Sequence, residues 1–276
     1  MEINLKDARM ETLENCDLQD ITEMWNRCWR GYYYDMSYSK DHMKVWLDLS
    51  QVSLQHSLAI LDKRRVVGFA LLAVEEKDGW IAGACIDPEY RRYGLFTLLI
   101  KSQLNLANYM RLQRIFLEVL EQNPARNIYQ TVGFKSMRQL NVYRATTRTI
   151  YDRQRLTAHP LKQTSPEEYF KIRKTTSFKP AWQRRENYLK RYSNLWALIN
   201  QAGTAGALFA GDKSGPLLDL WSVNLTGAEE LIPTMLRRGG KSLILTNQPN
   251  DWVFSFLLNY GIIPSAKQIE MCIELS

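Results

Sequence analysis

The sequence predicts an α/β (α+β) chain of two domains, each built on a mixed, mainly antiparallel sheet with one parallel pair. Three observations predict it. Short β-rich runs separated by turn signals follow one another between residues 56 and 86. A stretch with apolar residues at Leu95, Leu98, Leu99, Leu104 and Leu106 then lies between two apolar runs, residues 80–86 and 115–120, as a helical crossover between parallel strands does. The same succession of elements returns after residue 195. The 276 residues exceed what one compact domain usually needs and suit two, at ~100–200 each. The expected boundary divides residues 1–146 from residues 147–276.

Residues 17–29 carry Leu18, Ile21, Met24, Trp25 and Trp29 at helical spacing, with Asp17 as a cap. An aromatic loop, Arg30-Gly31-Tyr32-Tyr33-Tyr34-Asp35-Met36, follows, and Ser39 is placed to cap a second helix that runs to Leu49. Residues 56–61 and 66–74 are β-rich and flank the hairpin signal Asp62-Lys63-Arg64-Arg65. A third strand, residues 80–86, follows the turn Lys77-Asp78-Gly79 and ends at Asp87-Pro88. Beyond the crossover helix and the strand at 115–120, Asn123-Pro124-Ala125 opens a short helix that carries Tyr129 and ends at Gly133-Phe134. Residues 139–146 alternate well enough to close the sheet.

The turn Arg91-Arg92-Tyr93-Gly94 precedes the crossover helix. A helix start leaves backbone N–H groups unpaired beside the positive end of the dipole, so it can receive a phosphate or diphosphate. Gly94 lets the main chain bend with no Cβ in the way. Arg91 and Arg92 bring charge-assisted donors. Taken alone, the same turn reads equally well as a capped, solvated helix end.

The block as a whole resembles the GNAT superfamily of acyl-CoA N-acyltransferases. In that family a strand ending in a Val/Ile-x-Pro corner leads into Arg/Gln-x-x-Gly-x-Gly/Ala, then helix, strand, Asn, and a Tyr shortly before Gly-Phe. Here Ile86-Asp87-Pro88, Arg91-x-x-Gly94, Asn123, Tyr129 and Gly133-Phe134 fit in order. Two departures stand out: Phe96 replaces the usual Gly or Ala, and Asn123 lies one residue closer to Tyr129 than usual, which leaves Gln122 as the alternative.

The resemblance implies a sheet whose parallel pair is splayed, with acetyl-CoA as co-substrate and a primary amine as acceptor. It places the coenzyme on the turn Arg91, Arg92, Tyr93, Gly94, Leu95, Phe96 and Thr97, on backbone groups of Ala84 and Ile86, and on Asn123. Tyr129 takes the place of the general acid that protonates the leaving thiolate. The tyrosine loop falls where the family builds its acceptor pocket, so Tyr33, Tyr34 and Asp35 are expected to line it; an amine would suit aromatic faces and one carboxylate. The base that frees the amine is left open among Glu118, Glu75, Glu76 and Asp35. A non-catalytic acyl-CoA sensor or scaffold is the alternative from another class.

In the second half, residues 160–166 are loop-like, Pro166-Glu167-Glu168 starts a helix, and residues 179–192 look helical. Strands at 195–200, 205–210 and 217–223, a helix at 228–237, a strand at 242–246, a helix at 252–259 and a strand at 268–275 complete it. The corner there reads Val223-Asn224-Leu225-Thr226-Gly227 and lacks an Arg-x-x-Gly. The half therefore resembles a degenerate GNAT-like domain that has lost its coenzyme.

Composition sets limits on the rest. The four cysteines and three histidines are scattered without metal-type spacing, so no metal is expected. No apolar run reaches ~18 residues and the first residues lack a signal-like core, which makes a cytoplasmic protein without a membrane the expectation. The net charge of +7 is uneven, since residues 153–191 hold 11 basic and 3 acidic residues. Such a stretch can meet nucleic acid, but a solvated helix face plus loop is the expected reading. A monomer and a homodimer both stay open.

Overall fold

The computed structural model describes residues 8–31, 35–146, 157–212, 215–238 and 242–275. The chain divides into two compact units, residues 1–137 with 271–276, and residues 138–270. The expected single boundary at 146/147 differs from this division. It runs through two strands, so residues 138–146 belong with the second unit and the last six residues with the first. Among the described residues no helix is long and apolar enough to cross a membrane.

The first unit begins with β1 (Ala8–Thr12), which sequence reading missed. Helices α1 (Leu18–Trp29) and α2 (Lys40–Leu49) start where their caps predict: the Asp17 carboxylate accepts from Gln19 N, and Ser39 Oγ from His42 N. The strands β2 (Leu58–Asp62), β3 (Arg65–Glu75) and β4 (Asp78–Ile86) form the antiparallel meander. Helix α3 (Leu95–Tyr109) crosses to β5 (Arg114–Leu120), which pairs with β4 in parallel. Helix α4 (Ala125–Thr131) follows. The strand order β1-β2-β3-β4-β5 is extended by the end of the last strand, whose neighbour Leu275 donates its N–H to Gln113 O at 2.8 Å.

One face of this sheet is covered by α1 and α2 through an aromatic cluster. Trp25 stacks on Trp29 at 4.0 Å and lies 4.9 Å from Trp46, while its indole N–H holds Met36 O at 2.7 Å. The Asn26 amide exchanges two hydrogen bonds with the Tyr38 backbone, at 2.8 and 2.9 Å. The aromatic loop is thus fastened to α1 on its carboxyl side.

The second unit starts within β6 (Lys135–Thr146) and continues through β7 (Leu161–Thr164), α5 (Pro166–Lys174), a one-turn α6 (Glu186–Leu189), β8 (Trp196–Asn200), β9 (Ala205–Phe209), β10 (Leu217–Ser222), α7 (Leu225–Arg238), β11 (Ser242–Pro249), α8 (Trp252–Asn259) and β12 (Ala266–Glu274). Two expectations change. Residues 160–166 contain a strand, β7, at the edge of the sheet β10-β9-β8-β7, and its polar sequence suits an edge. Residues 179–192 hold only a 3-10 turn, Trp182–Arg184, and α6, because Arg184 and Trp182 are drawn into the interior and break the helical period. The core of the unit lies between β8–β11 and helices α7 and α8, around Tyr143, Leu220, Leu245, Val253 and Phe256.

Candidate active site

Strands β4 and β5 pair at Asp78↔Arg114, Gly79↔Ile115 and Trp80↔Phe116, and then part. The closed end of this fork is clamped. Arg114 donates from Nε and Nη2 to the two Asp78 oxygens at 2.8 and 3.0 Å, a bidentate pair. The Trp80 indole N–H donates to Glu118 Oε2 at 2.6 Å, which draws a half-buried carboxylate to the point where the strands separate. A Cβ on Gly79 would come within 2.5 Å of the tip of the Ile115 side chain, so the two strands pack closely here.

At the open end, the Asp87 N–H donates to Val67 O across to β3 at 2.8 Å. Backbone groups alternate sides along a strand, so the N–H and C=O groups of Ala84 and Ile86 face the edge that β5 has left. The buried Asp87 carboxylate fixes this end: it receives Arg27 Nε and Arg65 Nη2, each at 2.9 Å, and caps the Pro88–Tyr90 turn through Glu89 N. Tyr90 OH donates to Asp62 at 2.7 Å, and that bond, with burial adding to it, pushes the phenol up to about 12. Sequence reading missed this cluster, although the acid before Pro88 and the isolated Arg27 were its signal.

The turn after the fork has two left-handed residues, Arg92 at φ +71° and Gly94 at φ +75°. Gly94 is the N-cap of α3 and offers no side chain to it, and no acidic residue lies in the first turn. Leu98 N–H reaches Gly94 O at 3.1 Å, so the N–H groups of Leu95, Phe96 and Thr97 precede the first intrahelical bond. A Cβ on Gly94 would meet nothing within 4 Å, so the approach to these donors is open. Arg92 and Tyr93 are exposed beside it.

Arg91 is differently occupied. Its Nε donates to Ile86 O at 3.2 Å and its Nη2 to Cys28 O at 3.3 Å, so it braces the end of β4 against α1. Phe96, in the position that departs from the family pattern, sets its ring edge-on to Tyr129 at 5.6 Å, and Phe134 flanks Tyr129 at the same distance. The larger residue at 96 thus forms one wall around the buried Tyr129. Asn123 turns its Oδ1 to Ala125 N at 2.9 Å and starts α4.

On the acceptor side, Tyr33 and Tyr34, with Tyr32, lie outside the described residues. Asp35 is exposed, and the Ser37 N–H holds its carboxylate below the usual range. Glu75 and Glu76 sit at the turn before β4, about 25 Å along the strand from Ile86. Glu118 alone of the four carboxylates lies in the fork. Cys85 is buried; desolvation and then its contact with Cys28 push its thiol well up, which suits an inert filler. Among the described residues no His, Cys, Asp and Glu group could hold a metal.

The second unit differs at the matching helix start. Asn224 Oδ1 accepts from Gly227 N at 2.7 Å, and a Cβ on Gly227 would fall within 3 Å of Ser222 Oγ and Thr204 Oγ1. A side chain fills the place that stands open at Gly94. The basic run is also largely used inside this unit. Arg173 and Arg184 are buried on Asp219, Lys174 and Lys190 pair with Glu186, and Arg185 lies 4.2 Å from the Trp182 ring.

A parted parallel pair beside an open helix start is a site for a phosphate-bearing ligand laid along a strand edge. Comparison with known proteins agrees: residues 18–134 match the Acetyltransferase (GNAT) family. The match lies within the first unit and supports membership of the GNAT superfamily, whose reaction is acyl transfer from acyl-CoA to an amine. Solved structures share the fold over the whole chain. A Pyrococcus horikoshii protein assigned as an acetyltransferase is 15% identical with a TM-score of 0.71, covering 100% of this chain and 92% of its own. A GCN5-related N-acetyltransferase from Sphaerobacter thermophilus is 11% identical, with a TM-score of 0.68 and coverage of 98% and 96%. A tandem GNAT protein from the clavulanic acid biosynthesis pathway is 13% identical, with a TM-score of 0.62 and coverage of 97% and 98%. At these identities the likeness concerns the fold. No curated protein matches the sequence.

Proposed function

We propose that the first unit transfers an acyl group, most simply acetyl, from acyl-CoA to a primary amine by direct attack on the thioester. The observation that carries this reading is the uncapped α3 start at Gly94, exposed and following the end of β4 that β5 has left. The coenzyme supplies the activated acyl group. The N–H groups of Leu95, Phe96 and Thr97 hold its diphosphate, with Arg92 adding charge.

The Ile86 N–H, on the parted edge, donates to the oxygen that gains charge as the amine adds, a contribution of about 3 kcal/mol for a preset donor. Glu118, oriented by Trp80, takes the amine proton directly or through water. Once the N–C bond has formed, the oxyanion re-forms the carbonyl as the C–S bond breaks, and Tyr129 gives its phenolic proton to the departing thiolate and regains one from solvent. The acceptor meets Asp35 and the tyrosine loop. The second unit, with Asn224 over its helix start, does not bind coenzyme there.

The test is release of free thiol from acetyl-CoA with a panel of primary amines, alongside calorimetry of acetyl-CoA binding. Amine-dependent thiol release that falls about 100-fold or more in Glu118→Gln supports the assignment. Heat of binding without thiol release for any amine leaves the sensor reading instead. No heat with any acyl-CoA removes both.

A further inference from the structure

The second unit contains a cleft of about 330 Å3 that acyl transfer does not use. It opens at the carboxyl ends of β10 and β11, between Val223 and Pro249, and reaches the first turn of α8 at Asp251 and Trp252. Phe178 and Lys179, from the segment between α5 and α6, form its other side. Strands β10 and β11 do not pair with each other, since β10 ends the four-stranded sheet and β11 pairs with β6.

Two charges of opposite sign line this cleft. Asp251 is partly buried, and its position is set from behind. Gln248 Nε2 donates to both of its oxygens at 2.8 and 2.7 Å, Gln248 Oε1 receives Arg184 Nη1 at 2.6 Å, and Arg184 is fixed on Asp219. Burial raises the Asp251 carboxyl above its ordinary value against the hydrogen bonds from Phe254 N and Gln248, so a cation beside it recovers part of the lost solvation. Near it the fully buried Tyr143 hydroxyl has no hydrogen-bond partner among the described residues. Lys179 is exposed at the mouth and has no acidic partner among the described residues. The neighbouring guanidinium of Arg138 is already neutralised by Glu270, and its Nη1 anchors the loop by donating to Lys179 O at 2.6 Å.

Between the charges the lining combines Phe178, Val223, Pro249 and Trp252 with the hydroxyl-bearing Ser177 and Ser222. Trp252 is 45% exposed, so its ring face is open to a ligand ammonium. The volume is too small for a coenzyme A and sits at the lower end of small-molecule pockets, about 300–1,000 Å3. We infer that this cleft binds a small zwitterion, an α-amino acid with an apolar or aromatic side chain, its ammonium on Asp251 and Trp252 and its carboxylate on Lys179. The inference stands apart from acyl transfer, because every residue it uses lies in the second unit.

The test is calorimetry on the full chain without acyl-CoA, using L-phenylalanine and its two halves, phenethylamine and 3-phenylpropionate. L-Phenylalanine is expected to bind about tenfold or more tighter than either half. Asp251→Asn keeps the helix cap, since Asn caps as well as Asp, and it and Lys179→Ala are each expected to weaken L-phenylalanine about tenfold. Trp252→Leu, which touches no polar partner, is expected to weaken it as well. Tyr129→Phe is expected to change nothing, which separates this site from the first unit. Absence of heat up to about 10 mM, equal binding by one half alone, or indifference to Asp251→Asn would each overturn the inference.

Discussion

Replacing Thr97 by Asp tests the α3 helix start with two readouts of opposite sign. Thr97 is the third residue of α3, partly exposed, in a first turn without an acid. A carboxylate there meets the positive end of the helix dipole and stabilises the fold by about 0.3–1 kcal/mol. The same charge would stand about 6 Å, roughly one helical turn, from a diphosphate on the Leu95–Thr97 amides. Coulomb's law gives about 0.7 kcal/mol per charge pair in water and ~2.8 at an effective dielectric of 20. For two phosphate charges the loss lies between about 1.4 kcal/mol and about 5.5 kcal/mol, or roughly tenfold to 10⁴-fold in affinity. Thermal denaturation reads the first effect, and titration with acetyl-CoA reads the second. Thr97→Asn supplies a polar side chain of similar size without charge and is expected to lose much less affinity. A variant that is stabilised yet binds acetyl-CoA as the parent does would place the diphosphate elsewhere and refute the assignment.

Tyr129→Phe keeps the ring contacts with Phe96 and Phe134, so melting should hardly move, while kcat should fall by about 10²–10⁴ with KM little changed in steady-state assays. Asn224→Ala uncaps α7 and should cost about 1 kcal/mol in urea unfolding without altering thiol release. Asp219→Asn leaves Arg173 and Arg184 buried against a neutral amide and should cost roughly 3–5 kcal/mol. Asp219 also predicts a pH dependence. Burial raises its carboxyl, but Arg184 and Arg173 outweigh that and hold it below the ordinary value. The unfolded chain therefore takes up this proton first as pH falls, and the stability it contributes is complete above about pH 4 and drains away below. Urea midpoints measured between about pH 3 and 7 should show that loss in the parent and not in Asp219→Asn.

Much of the fold was legible because it is local. Asp17 and Ser39 each mark a helix with a side chain that the helix then uses, and Pro166-Glu167-Glu168 marks another at its first turn. The β3–β4 meander showed as apolar runs between turn residues. What escaped notice depends on distant partners. β1 has little apolar content and is a strand because β2 offers an edge to it. β7 is polar for the same reason, paired through its backbone with β8. Residues 179–192 have the composition of a basic helix, yet Arg184 is drawn to Asp219, 35 residues away in sequence, and no periodicity reveals that.

The candidate site divides in the same way. Gly94 and its turn could be read from the sequence because an uncapped helix start is a property of five consecutive residues. Glu118 could not be singled out among the carboxylates, since its place depends on where β4 and β5 cease to pair and on the indole of Trp80. Arg91 fits the motif by its spacing and donates to Ile86 O and Cys28 O, while Arg92, equally exposed, has no such tie among the described residues.

The two units share an order of elements but resolve one conflict in opposite ways. A helix beginning after a corner must leave its first amides to a cap or to a ligand. At Gly94 the cap has no side chain, the space beside it is empty and the helix start stays exposed. At Asn224 the amide of Gly227 is answered from within, and Ser222 and Thr204 close over the glycine. The second arrangement gains a cap worth about 1 kcal/mol and gives up an anion site. The cleft of the second unit then has to recruit by other chemistry, through the side chains of Asp251 and Lys179, which is why a small zwitterion suits it and a nucleotide diphosphate does not.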